Sequence, residues 1–198
     1  MERVAEGLWK VPDDLAERGR QYDAQRLGGV AVELKSYLPI ERQARVIGAT
    51  WLDQQLIGGG KGLGDQGFGG EAKDALQQRA DFLTEQGLAE RRGQRVMLAR
   101  NLLGTLRNRE LAQAAKDVAA DTGLEHRPVA DGQRVARICR RSIMLASGRY
   151  AMLDDGLGFS LVPWRPVIEQ RLGQQLAATV RGGGASWKIG RQRSSSIA

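Results

Sequence analysis

The chain has 198 residues, 41% hydrophobic and 27% charged, with a formal net charge of +7. That length suits one large domain or two small ones, and no window approaches the roughly 18 to 20 apolar residues of a membrane span. No basic-then-apolar signal segment opens the sequence and Cys139 is the only cysteine, so no internal disulfide is possible and a soluble, cytoplasmic protein without membrane association is expected.

The positive charge is unevenly placed. Residues 1–125 hold 18 Lys and Arg against 19 Asp and Glu, whereas residues 127–198 hold 12 against 4. The excess in the last third is almost all arginine, whose planar fork matches phosphate oxygens, so a polyanion such as DNA or RNA is the partner that this charge suggests. A solubilising surface or an acidic protein partner would use the same residues.

Residues 1–57 read as an N-terminal α/β segment. A charged hairpin around Gly7 leads into a polar helix over 13–25, and a strand over 29–37 has Val30, Val32 and Leu34 on one face. Residues 40–57 then read mainly as helix, anchored by Trp51, Leu52 and Leu56. Eight glycines in thirteen residues make 58–70 a flexible linker between two compact parts. A phosphate-loop reading fails there, because Lys61 is followed by Gly62 instead of Ser or Thr.

Residues 71–123 form a helix–hairpin–helix unit in winged-helix-like order. Ala72, Ala75, Leu76, Ala80 and Leu83 share a helical face, and Gly87 ends that helix. Two short strands flank Arg92-Gly93. Asn101 caps a second helix running to about Thr122, with Leu111, Ala114, Ala115 and Val118 as its apolar stripe and Gly123 as its stop. Residues 2–11 resemble 90–98 in outline, as if the chain began on the hairpin of a unit whose leading helix is cut away.

Residues 124–193 read as a basic β-rich module, giving an α+β fold overall. Strands over 143–146 and 150–153 are split by Ser147-Gly148, Asp154-Asp155-Gly156 supplies turn chemistry, and 159–162 is a third strand. Residues 163–166 stop it before a helix over 166–180, where Ile168, Leu172, Leu176 and Val180 recur every four residues. Three glycines at 182–184 break that helix, Trp187 to Ile189 can return as an edge strand, and 194–198 is a frayed tail.

The wording of 140–173, RRSIMLASGRYAMLDDGLGFSLVPWRPVIEQRLG, closely resembles the C-terminal region of large relaxase/mobilisation nucleases from conjugative and integrative elements. Residues 47–56 (IGATWLDQQL) and 87–103 (GLAERRGQRVMLARNLL) resemble the same region in the same order. The resemblance implies a non-catalytic C-terminal module that handles DNA or docks to the transfer machinery. Its partners would be transferred DNA, the relaxase's own catalytic domain or a transfer coupling protein. It also allows a stand-alone product of a truncated relaxase gene on a mobile element. Such a product would bind a nucleoprotein complex, as an inhibitor of host defence or a transcriptional regulator.

A relaxase nicks DNA with a tyrosine beside a metal held by a histidine cluster. His126 is the only histidine, so no metal, cofactor or catalytic residue is expected in this chain. Tyr150 lies within a strand pattern and reads as a packing residue. Asp154 and Asp155 read as turn residues, Cys139 as a buried thiol, and Ser147 lacks the flanks of a nucleophile elbow. An enzyme is not expected.

The candidate nucleic-acid contacts are basic. Arg91, Arg92 and Arg95 surround the hairpin tip, with Arg107 and Arg109 on the next helix. Arg134, Arg137, Arg140, Arg141 and Arg149 form a second group, in which regular strand parity puts Arg137 and Arg141 on one face and Arg140 on the other. Arg181, Lys188, Arg191 and Arg193 add a basic tail. Only 5% of residues are aromatic, which favours contacts to the phosphate backbone over a base-stacking platform.

Overall fold

A computed structural model describes residues 2–5, 8–10, 36–93 and 95–188, and the chain divides into two compact units, Met1–Lys35 and Ser36–Ala198. In the first, strands β1 (Glu2–Ala5) and β2 (Leu8–Lys10) pair antiparallel as the expected hairpin. The helix expected over 13–25, most of the strand expected over 29–37, Ile189, Arg191, Arg193 and the tail 194–198 lie outside the described residues. Tyr37 itself is in a bend.

The second unit is α+β. Helices α1 (Ile40–Gln43), α2 (Trp51–Ile57) and α3 (Phe68–Glu85) precede a hairpin of β3 (Ala89–Arg92) and β4 (Arg95–Leu98), and helix α4 (Leu102–Thr122) follows it. A six-stranded sheet then forms from β5 (Glu125–His126), β6 (Arg134–Leu145), β7 (Gly148–Asp154), β8 (Gly158–Pro163), β9 (Gln175–Arg181) and β10 (Gly184–Lys188), ordered β10-β9-β6-β7-β8-β5. Every pairing is antiparallel except β5 with β8. Among the described residues no helix is long and apolar enough to cross a membrane.

Two faces of the sheet carry two cores. Helix α4 lays Ala114, Ala115 and Val118 against Tyr150, Met152, Phe159 and Leu161 on one face. On the other, Val135, Cys139, Ala151, Leu153, Val162, Leu176 and Ala178 pack together with Ala185 of β10 under Ile168. The sheet curls around this second core until the Trp187 indole N–H donates to the Pro163 carbonyl of β8 at 3.1 Å. Alternation explains the pattern: β9 buries Leu176 and Ala178 and exposes Gln175 and Arg181.

The helix expected over 166–180 is therefore corrected to a 3-10 helix at Pro166–Arg171 followed by β9. Gly173 has φ +79° and ends the helical run. A four-residue spacing is also a multiple of the two-residue strand period, so Leu176 and Val180 fit the strand equally well.

The helix expected over 40–57 is broken into α1 and α2. Gly48 has φ +143°, and the buried Arg79 collects the carbonyls of Gln43, Val46 and Gly48 that a continuous helix would use itself. The glycine run does not divide the fold. Ala44 and Leu52 before it share a core with Ala75 after it, and α3 begins inside the run at Phe68. Beyond it, α3 ends as expected at Gly87 (φ +69°) and α4 at Gly123 (φ +71°). Asn101 occupies the N-cap of α4 without a capping side-chain bond.

Candidate nucleic-acid interface

The site begins with a turn that favours glycine. Strands β9 and β10 pair Arg181 with Gly184, leaving Gly182 (φ +55°) and Gly183 (φ +77°) as the two turn residues. Two successive positive φ values are the backbone of a tight hairpin turn and exclude most side chains. The missing side chains admit guanidinium groups. Arg107 of α4 lies against Gly183 where a Cβ would stand, and Arg165 Nη2 comes within 3.8 Å of the corresponding position on Gly184.

Arg149, at the start of β7, completes the cluster. Its guanidinium carbon sits 3.9 Å from the Trp164 ring centroid, and its fork donates to both carboxylate oxygens of Glu169, at 2.7 and 3.1 Å. Stacking below and a bidentate partner beside it fix the plane of this arginine. The β6–β7 turn that precedes it is held from α4, where Glu110 accepts the backbone N–H groups of Ala146 (2.6 Å) and Ser147 (3.0 Å). These parts line an open cavity of about 250 Å³, with Arg107, Ser147, Arg149, Trp164, Arg165 and Gly183 in its walls.

Of the arginines expected from sequence, the structure brings Arg107 and Arg149 together here. Arg165 and its platform Trp164 were not anticipated; residues 163–166 read only as a stop signal, although an arginine next to a tryptophan at a strand end was the available clue.

The remaining candidates fall into two kinds. Arg91 pairs with Asp81, Arg92 with Glu90 at 3.2 Å, Arg140 with Asp154 at 2.9 Å and Arg141 with Asp121 at 3.0 Å. Arg137 is 15% exposed, bonded to Asp155 (3.0 Å) and the Ser160 hydroxyl (2.8 Å). Arg95, Arg109, Arg134, Arg181 and Lys188 are exposed, and none of them meets a carboxylate among the described residues.

Strand parity also needs correcting. A β-bulge at Arg140 lets Cys139 pair with Leu153 and Arg141 with Met152, so the side-chain alternation shifts by one. Arg137, opposite Leu176, faces the core under Ile168, whereas Arg141 faces α4. The group at 134–141 is thus dispersed, and much of its charge is neutralised by the Asp154-Asp155 turn. The Gly158 backbone N–H bonded to Asp155 holds that carboxyl below its ordinary range, helped by Arg137 and Arg127.

Two of the groups weighed for chemistry, Tyr150 and Cys139, sit in the core. Tyr150 is 3% exposed and burial pushes its phenol up. Cys139 is fully buried, which raises its thiol. His126 packs against Phe159 with the rings tilted by 43° and centroids 5.1 Å apart. Among the described residues no cluster of three or more His, Cys, Asp or Glu is placed to hold a metal ion.

A family described as "Protein of unknown function (DUF3363)" matches residues 1–196. The chain belongs to this family. Neither a curated protein nor a solved structure matches it. Family membership thus covers both the curled sheet with its arginine cluster and the helical part before it.

Proposed function

We propose that this DUF3363 chain is a DNA-binding module that engages nucleic acid through backbone phosphates, as the C-terminal part of a relaxase-like protein. The observation that carries the reading is the excess of unneutralised arginine on the sheet module. Around one turn gather Arg107, Arg149 and Arg165; Glu169 pairs with Arg149 alone, and the nearby Glu110 is committed to two backbone N–H groups. A local surplus of guanidinium over carboxylate attracts phosphate, and it does so without reading sequence.

The order of α3, the β3–β4 hairpin and α4 supports a second contact of winged-helix type. Arg91, Arg92 and Arg95 lie exposed around a hairpin whose tip is Gly93, and a hairpin of that kind can track a phosphate backbone. The resemblance of 47–56, 87–103 and 140–173 to relaxase C-terminal regions supports transferred DNA as the nucleic acid.

The test is retention of unrelated duplex and single-stranded DNAs at low salt. All are expected to bind with similar affinity, since backbone contacts carry no base readout. Failure to retain any DNA, together with recovery of a protein partner that survives nuclease treatment, would replace this reading with docking to the transfer machinery or to another nucleoprotein complex.

A further inference from the structure

Building on the nucleic-acid reading, we infer that the cavity between α4, the β6–β7 turn, the β9–β10 turn and residues 163–166 is a phosphate-binding pocket. In it, Arg107 and Arg165 hold the oxyanion beside a pre-oriented Arg149.

Three features argue for phosphate over other ligands. First, the donors are guanidinium groups from three separate elements converging on one place: α4, the start of β7, and the segment after β8. Convergent charge of one sign is costly unless an anion meets it, and the planar fork suits phosphate oxygens. Second, Gly183 and Gly184 present bare backbone where Arg107 and Arg165 approach, so the floor is shaped for the guanidinium groups. Third, the size fits. The cavity measures about 250 Å³ and is open to solvent on one side. That accommodates a phosphate with its sugar, and it falls below the roughly 300–1,000 Å³ of pockets that enclose drug-sized ligands.

Arg149 has a separate role. Glu169 and Trp164 hold its plane, so it contributes fixed charge at little entropic cost on binding. Arg107 and Arg165 meet no carboxylate among the described residues and remain available to the ligand.

The chemistry is shared by two sources, a free phosphate or nucleotide and the backbone of a DNA strand. The experiment therefore titrates the full chain with inorganic phosphate, with deoxyadenosine monophosphate and with a short oligodeoxynucleotide, by calorimetry. It compares the wild type with Arg107→Gln/Arg165→Gln, Arg165→Lys and, as control, Lys116→Gln at an exposed position further along α4. The double variant should weaken phosphate and oligonucleotide binding at least tenfold, Arg165→Lys should weaken both by a smaller factor because charge remains without the fork, and Lys116→Gln should leave inorganic phosphate binding unchanged. An unchanged phosphate affinity in the double variant, with its circular dichroism intact, overturns the pocket. If the wild type binds DNA and the double variant binds it equally well, the pocket fails and the DNA reading stands. If inorganic phosphate binds through Arg107 and Arg165 but DNA does not bind, the pocket stands as a free-phosphate site and the DNA reading fails.

Discussion

Arg79 and Asp53 meet fork to fork in the interior, with Nε–Oδ1 at 2.8 Å and Nη2–Oδ2 at 2.9 Å, both side chains fully buried. The guanidinium also binds the carbonyls of Gln43, Val46 and Gly48, and the carboxylate accepts the Thr50 N–H at the start of α2. Every hydrogen-bonding group of the pair has a use, which is the condition under which buried charges are tolerated. Asp53→Ala leaves Arg79 charged and unpaired, and should cost about 3–5 kcal/mol. Thermal unfolding should then shift down by roughly 10 °C or more for a unit of this size. A change under about 1 kcal/mol would mean that the pair does not hold the α1–α2 loop.

The β6–β7 turn depends on Glu110 in a similar way. Glu110→Ala removes the acceptor of two part-buried backbone N–H groups, at about 1–3 kcal/mol for each group left unsatisfied. It should also loosen the wall of the arginine pocket, so that DNA affinity falls along with stability. Glu110→Gln retains one acceptor oxygen and should restore part of both. Gly48 packs against this carboxylate, and a Cβ at that position would fall 2.6 Å from the carboxyl carbon, so Gly48→Ala should disturb the same turn from the opposite side.

A pH effect should trace to His126. Burial against Phe159 pushes its imidazole below the ordinary value of 6.5. The unfolded chain takes up a proton as pH falls through 6.5, whereas the folded chain does so only at lower pH. Stability should therefore decline as pH drops below 6.5, and level off once the folded form also protonates. Urea midpoints at pH 8 and pH 5.5 should differ for the wild type and converge in His126→Gln. An equal pH response in the variant would remove His126 as the cause.

Much of this architecture was legible because local chemistry and tertiary packing agree. Gly87, Gly93 and Gly123 mark helix ends and a hairpin tip where positive φ is required, and the Asp154-Asp155-Gly156 turn accepts its own backbone N–H groups as such turns do. The errors come from long-range partners. The break between α1 and α2 is set by Arg79, 31 residues from Gly48, and no local pattern encodes it. The segment 175–181 became a strand because β6 was available to pair with it, although its spacing also satisfied a helix. In the site, the bulge at Arg140 reversed the parity of Arg141, and the carboxylates that neutralise Arg137 and Arg140 come from another turn. The pocket arginines lie 42 and 16 residues apart along the chain, so only the fold reveals them as neighbours.

Those ion pairs change what the strand arginines should do. Arg137→Gln strips a partner from Asp155 and from Ser160 in a nearly buried setting. It should lower stability by about 1–3 kcal/mol while leaving the salt dependence of DNA binding unchanged. A flattened salt dependence with full stability would instead make Arg137 a phosphate contact.

The most direct measurement is the salt dependence of affinity for duplex DNA in the wild type and in Arg107→Gln/Arg165→Gln. Each phosphate neutralised releases counterions, so log affinity should fall linearly with log salt, by about 0.9 per contact. The double variant should bind all sequences more weakly and flatten that slope by about two units, at roughly one per lost contact. A slope that is unchanged in the variant, or affinity that is insensitive to salt in the wild type, would contradict phosphate binding at this arginine cluster.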